Sequence, residues 1–245
     1  MDNGRDGERR GVALVDGVIW SQGPINSRHN RVLIVCNGPS AERMRYDNPV
    51  MWATLSSRAH VIVVNGAVNW FPVSHSFFSL DPSAYVRGLL NVRRAHLTYW
   101  IAVPPDYGTP TARLRNHRDP AEMWVNYLVR QEGDGFRGAC HGLSERNTHI
   151  HTGNSGYGAL GLAYLMHARK IAFIGLDGGG DRYAHGRPDS DHVPRPPFDY
   201  MPELFASAIP QLDKEGVAVV NGSPESAVSC WPRMMPSAAI KWLLE

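Results

Sequence analysis

The segment HTGNSGYGALG, residues 151–161, carries glycines at a spacing that can bind phosphate. The spacing fits G-x-G-x-x-G, with the glycines at Gly156, Gly158 and Gly161. Asp177 follows the first of them by 21 residues, which is close to the dinucleotide-binding fingerprint. That fingerprint needs a strand directly before its first glycine, and residues 147–152 look like a poor buried strand. We therefore favour another anion-binding turn over a nicotinamide or flavin site.

A helix that begins in this segment explains its polar residues better. Asn154 or Ser155 would cap the helix, and its unpaired N–H groups would receive an anionic phosphate, with Thr152 and Gly156 beside them. The two later glycines would then lie inside the helix, where each costs ~1 kcal/mol relative to alanine. Such glycines make sense where a helix packs closely on a sheet, so we expect that packing here.

Short apolar runs that alternate with helical segments predict a Rossmann-like α/β fold, an open, mostly parallel sheet with helices on both faces. The strand candidates are VLIVC (32–36), HVIVVNGAV (60–68), HSFFSLD (75–81), HLTYWIAVP (96–104), KIAFIGLD (170–177) and GVAVVNGSP (216–224). The helix candidates are a start at 41–46 behind an N-cap at Ser40, about 155–167, and about 200–214. GVALVDGVIW (11–20) is expected to be a small hairpin or edge strand. We expect one Rossmann-like domain over 31–245, preceded by a polar tail and this hairpin over 1–30.

Four of the predicted strands end in a similar polar pair. The pairs are Asn37-Gly38, Asn65-Gly66, Asp177-Gly178 and Asn221-Gly222. Turn chemistry explains each pair separately, because Asn and Asp tolerate a left-handed backbone and Gly permits it. Ligands of open parallel sheets bind beyond the carboxyl ends of the strands. We therefore expect the four pairs to line one crevice, which would be the active site.

Composition and charge are those of an ordinary globular protein. The 245 residues are 43% hydrophobic and 20% charged, and the formal net charge of +2 is too small to indicate a nucleic-acid binder by itself. The three cysteines form no C-x-x-C pair, which argues against a zinc knuckle and a disulfide scaffold. The polar N-terminus lacks the apolar core of a signal peptide, and no apolar run approaches the ~20 residues that span a bilayer. We expect a cytoplasmic protein with no membrane span that can form homo-oligomers.

Several of these motifs together resemble a known group of enzymes. NGPS after the first strand, VVNGAV at the second, TGNSGYGALGLAYLMHARKIAFIGLD and the closing VVNGSPESAVSCWPRM are similar to the bacterial lipooligosaccharide sialyltransferases. They are equally similar to relatives of the 6-hydroxymethylpterin diphosphokinase type, a group often labelled only as a domain of unknown function. The resemblance covers about Arg31 to Met234. It implies a glycosyltransferase that takes a sugar from a nucleotide-activated donor, such as a CMP-linked one, and needs no further cofactor.

The resemblance also implies roles for residues at the strand ends. Asn37 and Asn65 would hold the nucleotide and its phosphate, and Ser155 and Gly156 would contact the ribose and phosphate. The complete predicted nucleotide-binding set is Asn37, Gly38, Ser40, Asn65, Thr152, Asn154, Ser155, Gly156 and Asp177.

The family's catalytic groups would lie in the segment after the fifth of these strands. Two tyrosines of the family help the leaving phosphate to depart; Tyr183 matches the second, whereas Gly179 stands where the first is expected. The general base would be His192, with His185 as the runner-up, although either can also be a solvated loop histidine. Residues 178–199 are long for a structureless connection, and we expect them to form a mobile lid.

Sugar transfer needs a deprotonated acceptor hydroxyl and a stabilised leaving phosphate. A histidine with a near-neutral pKa supplies the first by general base catalysis, which contributes ~10²–10⁴ in rate. The N–H groups at the helix start, with the Ser155 and Tyr183 hydroxyls, could supply the second without a metal. The acceptor stays open between a glycan and a nucleic acid.

Two alternatives remain on the sequence alone. A diphosphokinase would transfer pyrophosphate from ATP with Mg²⁺ held by Asp177, Asp181 and Asp81, but without a P-loop, since G-x-x-x-x-G-K-[ST] is absent. A nucleotide- or nucleic-acid-binding module would use the basic segment 87–118, in which Tyr99, Trp100 and Tyr107 could stack on bases, and DNA could then be a glycosylation acceptor. We favour the transferase, because these aromatics alternate as core residues of a strand do.

Overall fold

The computed structural model describes residues 12–15, 18–21, 29–44, 48–81, 97–105, 125–179 and 198–245. The strands are β1 (Val12–Val15), β2 (Val18–Ser21), β3 (Arg31–Val35), β4 (His60–Val64), β5 (Ser76–Ser79), β6 (Thr98–Val103), β7 (Val125–Gln131), β8 (His149–His151), β9 (Lys170–Ile174) and β10 (Ala218–Asn221). The helices are α1 (Pro49–Arg58), α2 (Ser155–Leu165), α3 (Met201–Ala206), α4 (Ile209–Lys214) and α5 (Pro236–Leu244). Strands β1 and β2 form the expected hairpin, paired antiparallel.

Eight strands form one open parallel sheet in the order β10-β9-β3-β4-β5-β6-β7-β8. The chain lays down β3 to β8 in one direction, crosses back through α2, and adds β9 and β10 on the other side of β3. The strand order therefore reverses at β3, and in such sheets the ligand crevice lies at this switch point. The predicted Rossmann-like class is confirmed.

Helices cover both faces of the sheet. Alternate residues of the central strands enter two separate apolar clusters. One cluster contains α2, α3 and α4, and the other contains α1 and α5. Both faces of the central strands are buried, which is why β3, β4 and β9 are continuous apolar runs rather than alternating ones.

Helix α2 lies closely against the sheet, as its glycines predicted. A Cβ at Gly158 would lie 2.7 Å from Cε1 of Phe78, whose side chain is fully buried on β5. A Cβ at Gly161 would instead meet Ile150 at an ordinary 3.5 Å. Gly158 is therefore required for the close approach of α2 to the sheet, whereas Gly161 is not.

The structure corrects two predicted helices. The segment after β3 is a 3₁₀ helix, Pro39–Arg43, that ends at an extended Met44, so no α-helix starts at Ala41. The helix comes later, at α1, where Pro49 occupies the first turn and the Asn48 side chain accepts a hydrogen bond from Met51 N. The helix expected over 200–214 is two helices, α3 and α4, because Pro210 has no N–H to donate to the carbonyl of residue 206.

The structure also corrects the interpretation of residues 147–152. They contain β8, a three-residue edge strand with Ile150 fully buried, paired parallel with β7. A strand therefore does precede the glycine-rich segment, although three residues are too few for a hydrophobic period to show. Strand β8 lies at the edge of the sheet and not at its switch point, unlike the first strand of a dinucleotide-binding unit.

Candidate active site

A cavity of about 560 Å³ lies at the carboxyl edge of the sheet, at the switch point. Its walls come from the ends of β3, β4, β5, β7 and β9, the start of α2, and the residues that lead into α3. Its volume lies in the range of small-molecule and cofactor sites. The described part of the chain thus has a ligand-sized cavity where the topology predicts one.

The start of α2 forms one wall of this cavity. Asn154 is the N-cap: its side chain accepts from Tyr157 N at 2.9 Å and its carbonyl accepts from Gly158 N at 2.9 Å. Ser155 N and Gly156 N have no acceptor within the described part of the chain, and both residues line the cavity. Two donors at the positive end of a helix dipole therefore border the cavity, an arrangement suited to an anion.

Asn65, at the end of β4, stands next to these donors. Its Nδ2 donates to Ser155 Oγ at 3.3 Å, and the same oxygen accepts from Leu80 N at 3.3 Å. Its Oδ1 is buried without a hydrogen-bond partner, and its backbone is left-handed, with φ +50°. Exchanging the amide oxygen and nitrogen would only move the unsatisfied position to the other atom. Unsatisfied buried polar atoms are rare in native proteins, and this one lies in a residue that lines the cavity.

Asn37, at the end of β3, is oriented by a neighbouring indole. Trp70 Nε1 donates to Asn37 Oδ1 at 2.8 Å, and Asn37 lines the cavity. An amide held in this way presents a fixed polar group to a ligand without reorganisation.

Asp177, after β9, also lines the cavity. Its Oδ2 accepts from Ser40 N at 3.2 Å and from Ser40 Oγ at 2.8 Å, and Ser40 in turn is 2.7 Å from Ser223 Oγ. Burial raises the pKa of the Asp177 carboxyl above its ordinary value, although the hydrogen bonds from Ser40 act to lower it. A Cβ at Gly38 would lie 2.0 Å from Asp177 Oδ2, so only glycine fits there.

Cys36 lines the cavity as well but is not a nucleophile. Burial raises the pKa of its thiol to about 12, and the nearby Asp177 adds to the shift.

Most predicted nucleotide-binding residues meet at this cavity. Those that line it are Asn37, Gly38, Asn65, Thr152, Asn154, Ser155, Gly156 and Asp177. Ser40 is buried behind Asp177 and is not part of the wall. Their roles in binding stay predictions.

One of the four polar strand ends does not reach the cavity. Asn221 is fully buried, and its Nδ2 donates to the carbonyls of Leu176 and Val228. The expectation that all four pairs line one crevice is wrong for Asn221-Gly222, which instead anchors the chain after β10. A side chain that holds neighbouring loops and one that faces a ligand have the same sequence signature.

The predicted catalytic residues lie outside the described residues. They are His192, His185 and Tyr183, with most of the expected lid. The same holds for Asp181 of the alternative magnesium set, whereas Asp81 and Asp177 both line the cavity. Within the described ranges, no group of three or more His, Cys, Asp or Glu side chains could hold a metal ion.

Sequence reasoning missed several residues of the cavity wall, among them four with charged or aromatic side chains. They are Arg130, Glu132, Phe198 and Tyr200. Arg130 lies at the end of β7, and its Nε donates to the carbonyl of Ala102 on β6 at 3.0 Å. A charged residue near the end of an apolar strand, as in VNYLVRQ, is a sequence signal for a residue at the edge of the sheet, but β7 itself was not predicted.

The nucleic-acid alternative loses two of its aromatic residues. Tyr99 and Trp100 are 6% and 3% exposed on β6, so neither ring can stack on a base. Tyr107 and most of the basic segment lie outside the described residues. No helix in the described part of the chain has both the length and the apolar composition needed to cross a bilayer.

No protein-family model and no curated protein sequence matches the chain. Among solved structures, the monofunctional α-2,3-sialyltransferase Cst-I from Campylobacter jejuni is similar over 87% of this chain and 84% of its own, with 12% identity and a TM-score of 0.44. The sialyltransferase CstII from the same organism, in complex with the substrate analogue CMP-3FNeuAc, is similar over 85% and 87%, with 12% identity and a TM-score of 0.44. CstII with cytidine-5'-monophosphate is similar over 87% and 88%, with 11% identity and a TM-score of 0.45. Identities and scores this low carry no residue roles over to this chain.

Proposed function

We propose that the protein is a glycosyltransferase that moves a sugar from a nucleotide-activated donor to an acceptor hydroxyl. The observation that carries the proposal is the convergence of unsatisfied polar groups on one cavity at the switch point. These groups are Ser155 N–H, Gly156 N–H and the buried amide of Asn65. A phosphate satisfies the two N–H groups, and a ligand hydroxyl or ring N–H satisfies the amide oxygen.

The same groups supply part of the chemistry. A phosphate that is docked at the start of α2 before the reaction is the leaving group during it, and fixed donors stabilise the charge that it gains. Asn37, held by Trp70, adds a further fixed dipole at the same wall. The proton of the acceptor hydroxyl passes to a general base, for which His192 and then His185 remain the predictions.

A thermal-shift screen against CMP, UDP, GDP, NAD and ATP with Mg²⁺ tests the proposal. A nucleotide at a hundred times its Kd adds ~2.7 kcal/mol of apparent stability, whichever base the protein selects. Asn65→Gly, which removes the buried amide, should reduce this shift, while Ser57→Ala, which changes an exposed serine on α1, should retain it. Absence of a shift with every nucleotide would overturn the proposal. Sugar release from the matching nucleotide-sugar, lost in His192→Ala, then tests the assigned base.

A magnesium-dependent diphosphokinase is the second candidate, favoured by Asp81 and Asp177, which both line the cavity. Two carboxylates near a triphosphate are the usual ligands of Mg²⁺ in phosphoryl transfer. EDTA separates the two candidates: it abolishes pyrophosphate transfer from ATP but leaves the sugar transfer unchanged.

A further inference from the structure

Arg130 lines the same cavity as the proposed phosphate position, although the two are far apart in sequence. Strands β5 and β6 pair with Ser79 opposite Ile101, so Leu80 and Ala102 come next on adjacent strands. Leu80 N donates to Ser155 Oγ at the start of α2, and the Ala102 carbonyl accepts from Arg130 Nε. The guanidinium and the start of α2 are therefore each anchored to the end of one of two adjacent strands, at the edge of the sheet where the cavity lies.

The charges of the cavity wall make this position significant. The carboxylates of Asp81, Glu132 and Asp177 line the cavity. Among the described residues that line it, Arg130 is the only arginine or lysine. A phosphate bound among three carboxylates is repelled unless a cation stands beside it. An arginine suits that role, because its planar fork binds two phosphate oxygens and keeps its charge at any physiological pH.

We propose that Arg130 binds the phosphate of the donor together with Ser155 N–H and Gly156 N–H, and stabilises it as the leaving group. The inference rests on the proposed function. In the transfer, the bond between the anomeric carbon and the phosphate oxygen breaks, and its electron pair stays on the phosphate. The acceptor oxygen forms the new bond to that carbon and gives its proton to the base. The departing phosphate thus gains one negative charge, which the guanidinium neutralises without a metal ion.

The test compares how much a phosphate adds to binding in each variant. Affinities for CMP and cytidine, and for UDP and uridine, are measured by calorimetry on the wild type, Arg130→Gln and Arg130→Lys. In Arg130→Gln the affinity gained from the phosphate should fall roughly 10- to 100-fold, the range for loss of a charge-assisted hydrogen bond, while nucleoside affinity stays unchanged. Arg130→Lys should be intermediate, since it keeps the charge but not the fork. A general loss of folding would lower nucleoside and nucleotide binding alike.

Arg169→Gln is the matched control, because Arg169 is exposed beside Glu215 at the start of β9, at the opposite edge of the sheet. It should retain the full contribution of the phosphate. If Arg130→Gln or Arg130→Lys retains the full contribution as well, the role of Arg130 is refuted while the proposed function stands. If the wild type binds no nucleotide more tightly than its nucleoside, the proposed function fails, and this inference fails with it.

Discussion

Asn65 combines two unfavourable features in one residue. A left-handed backbone at a residue other than glycine costs roughly 1 kcal/mol, and a buried polar atom without a partner costs about 1–3 kcal/mol. Both occur in a residue that lines the cavity. Strained residues cluster at functional sites in proteins generally. A bound ligand that satisfies the amide removes the second of these costs.

Asn65→Gly should therefore separate stability from binding. Glycine accepts the left-handed backbone and removes the unsatisfied atom, whereas the bond to Ser155 Oγ is lost and glycine costs about 0.5–1 kcal/mol in chain entropy. We expect the free energy of unfolding to stay within about 1 kcal/mol of the wild type, and nucleotide affinity to fall about tenfold. Urea denaturation and calorimetry measure the two quantities on the same samples.

His167→Gly is the control, because His167 is the other residue besides glycine with a positive φ, at +58°, in the described part of the chain. It follows α2 directly, far from the cavity, in a position where glycine is the preferred residue. This variant should be as stable as the wild type or more stable by up to about 1 kcal/mol, with unchanged nucleotide affinity. A large loss of stability in Asn65→Gly with full nucleotide affinity would show that Asn65 serves the fold and not the ligand.

At the scale of elements, α2 determines the position of the site. It crosses the sheet between β8 and β9, and its start meets the ends of β4 and β5 through Ser155. Its depth depends on Gly158, which lets the helix backbone approach the ring of Phe78. A helix farther from the sheet would move its free N–H groups away from Asn65.

Gly158→Ala and Gly161→Ala should therefore have opposite effects on stability. Alanine favours a helix by ~1 kcal/mol over glycine at either position. At Gly158 the new methyl group overlaps Phe78, and overpacking of this kind costs about 1–3 kcal/mol, so we expect net destabilisation by up to about 2 kcal/mol. At Gly161 the methyl group fits against Ile150, and we expect stabilisation by about 0.5–1 kcal/mol. Thermal and urea denaturation of both variants decide the matter; equal effects would contradict the assigned packing.

The elements that could be predicted are those whose apolar runs are long. Strands β3, β4 and β9 and helix α2 were evident, because four or more apolar residues in sequence leave few alternatives. Strand β8 was missed because three residues are too few to show a hydrophobic period. The break before α4 was missed because it depends on one proline inside a helical pattern.

The polar residues at the ends of β3, β4 and β9 could be predicted from the rule that ligands bind at the carboxyl ends of parallel strands. Arg130 could not, because its place in the cavity depends on the pairing of β6 with β7.

At the scale of the molecule, the sheet connects two apolar clusters that share its central strands. Successive residues of β3, Leu33 and Ile34, belong to different clusters, and the same alternation holds along β4. A cluster cannot lose its packing without exposing the strands that support the other. The cavity lies at the edge of this shared sheet, so a ligand bound there stabilises both faces.

Unfolding should therefore be a single cooperative transition, although a chain of 245 residues exceeds the usual size of two-state domains. Tryptophans report on each face separately: Trp100 and Trp231 lie in the cluster with α2, and Trp52 and Trp242 in or against the cluster with α5. With 5-fluorotryptophan incorporated, ¹⁹F NMR in urea should give the same midpoint for these four of the seven tryptophan resonances, assigned by single Trp→Phe replacements. A nucleotide at a hundred times its Kd should raise the free energy of unfolding by ~2.7 kcal/mol, and the four urea midpoints should therefore increase together. If the midpoints differ between the faces, or if only one pair responds to the nucleotide, the two clusters unfold independently and the site stabilises only part of the sheet.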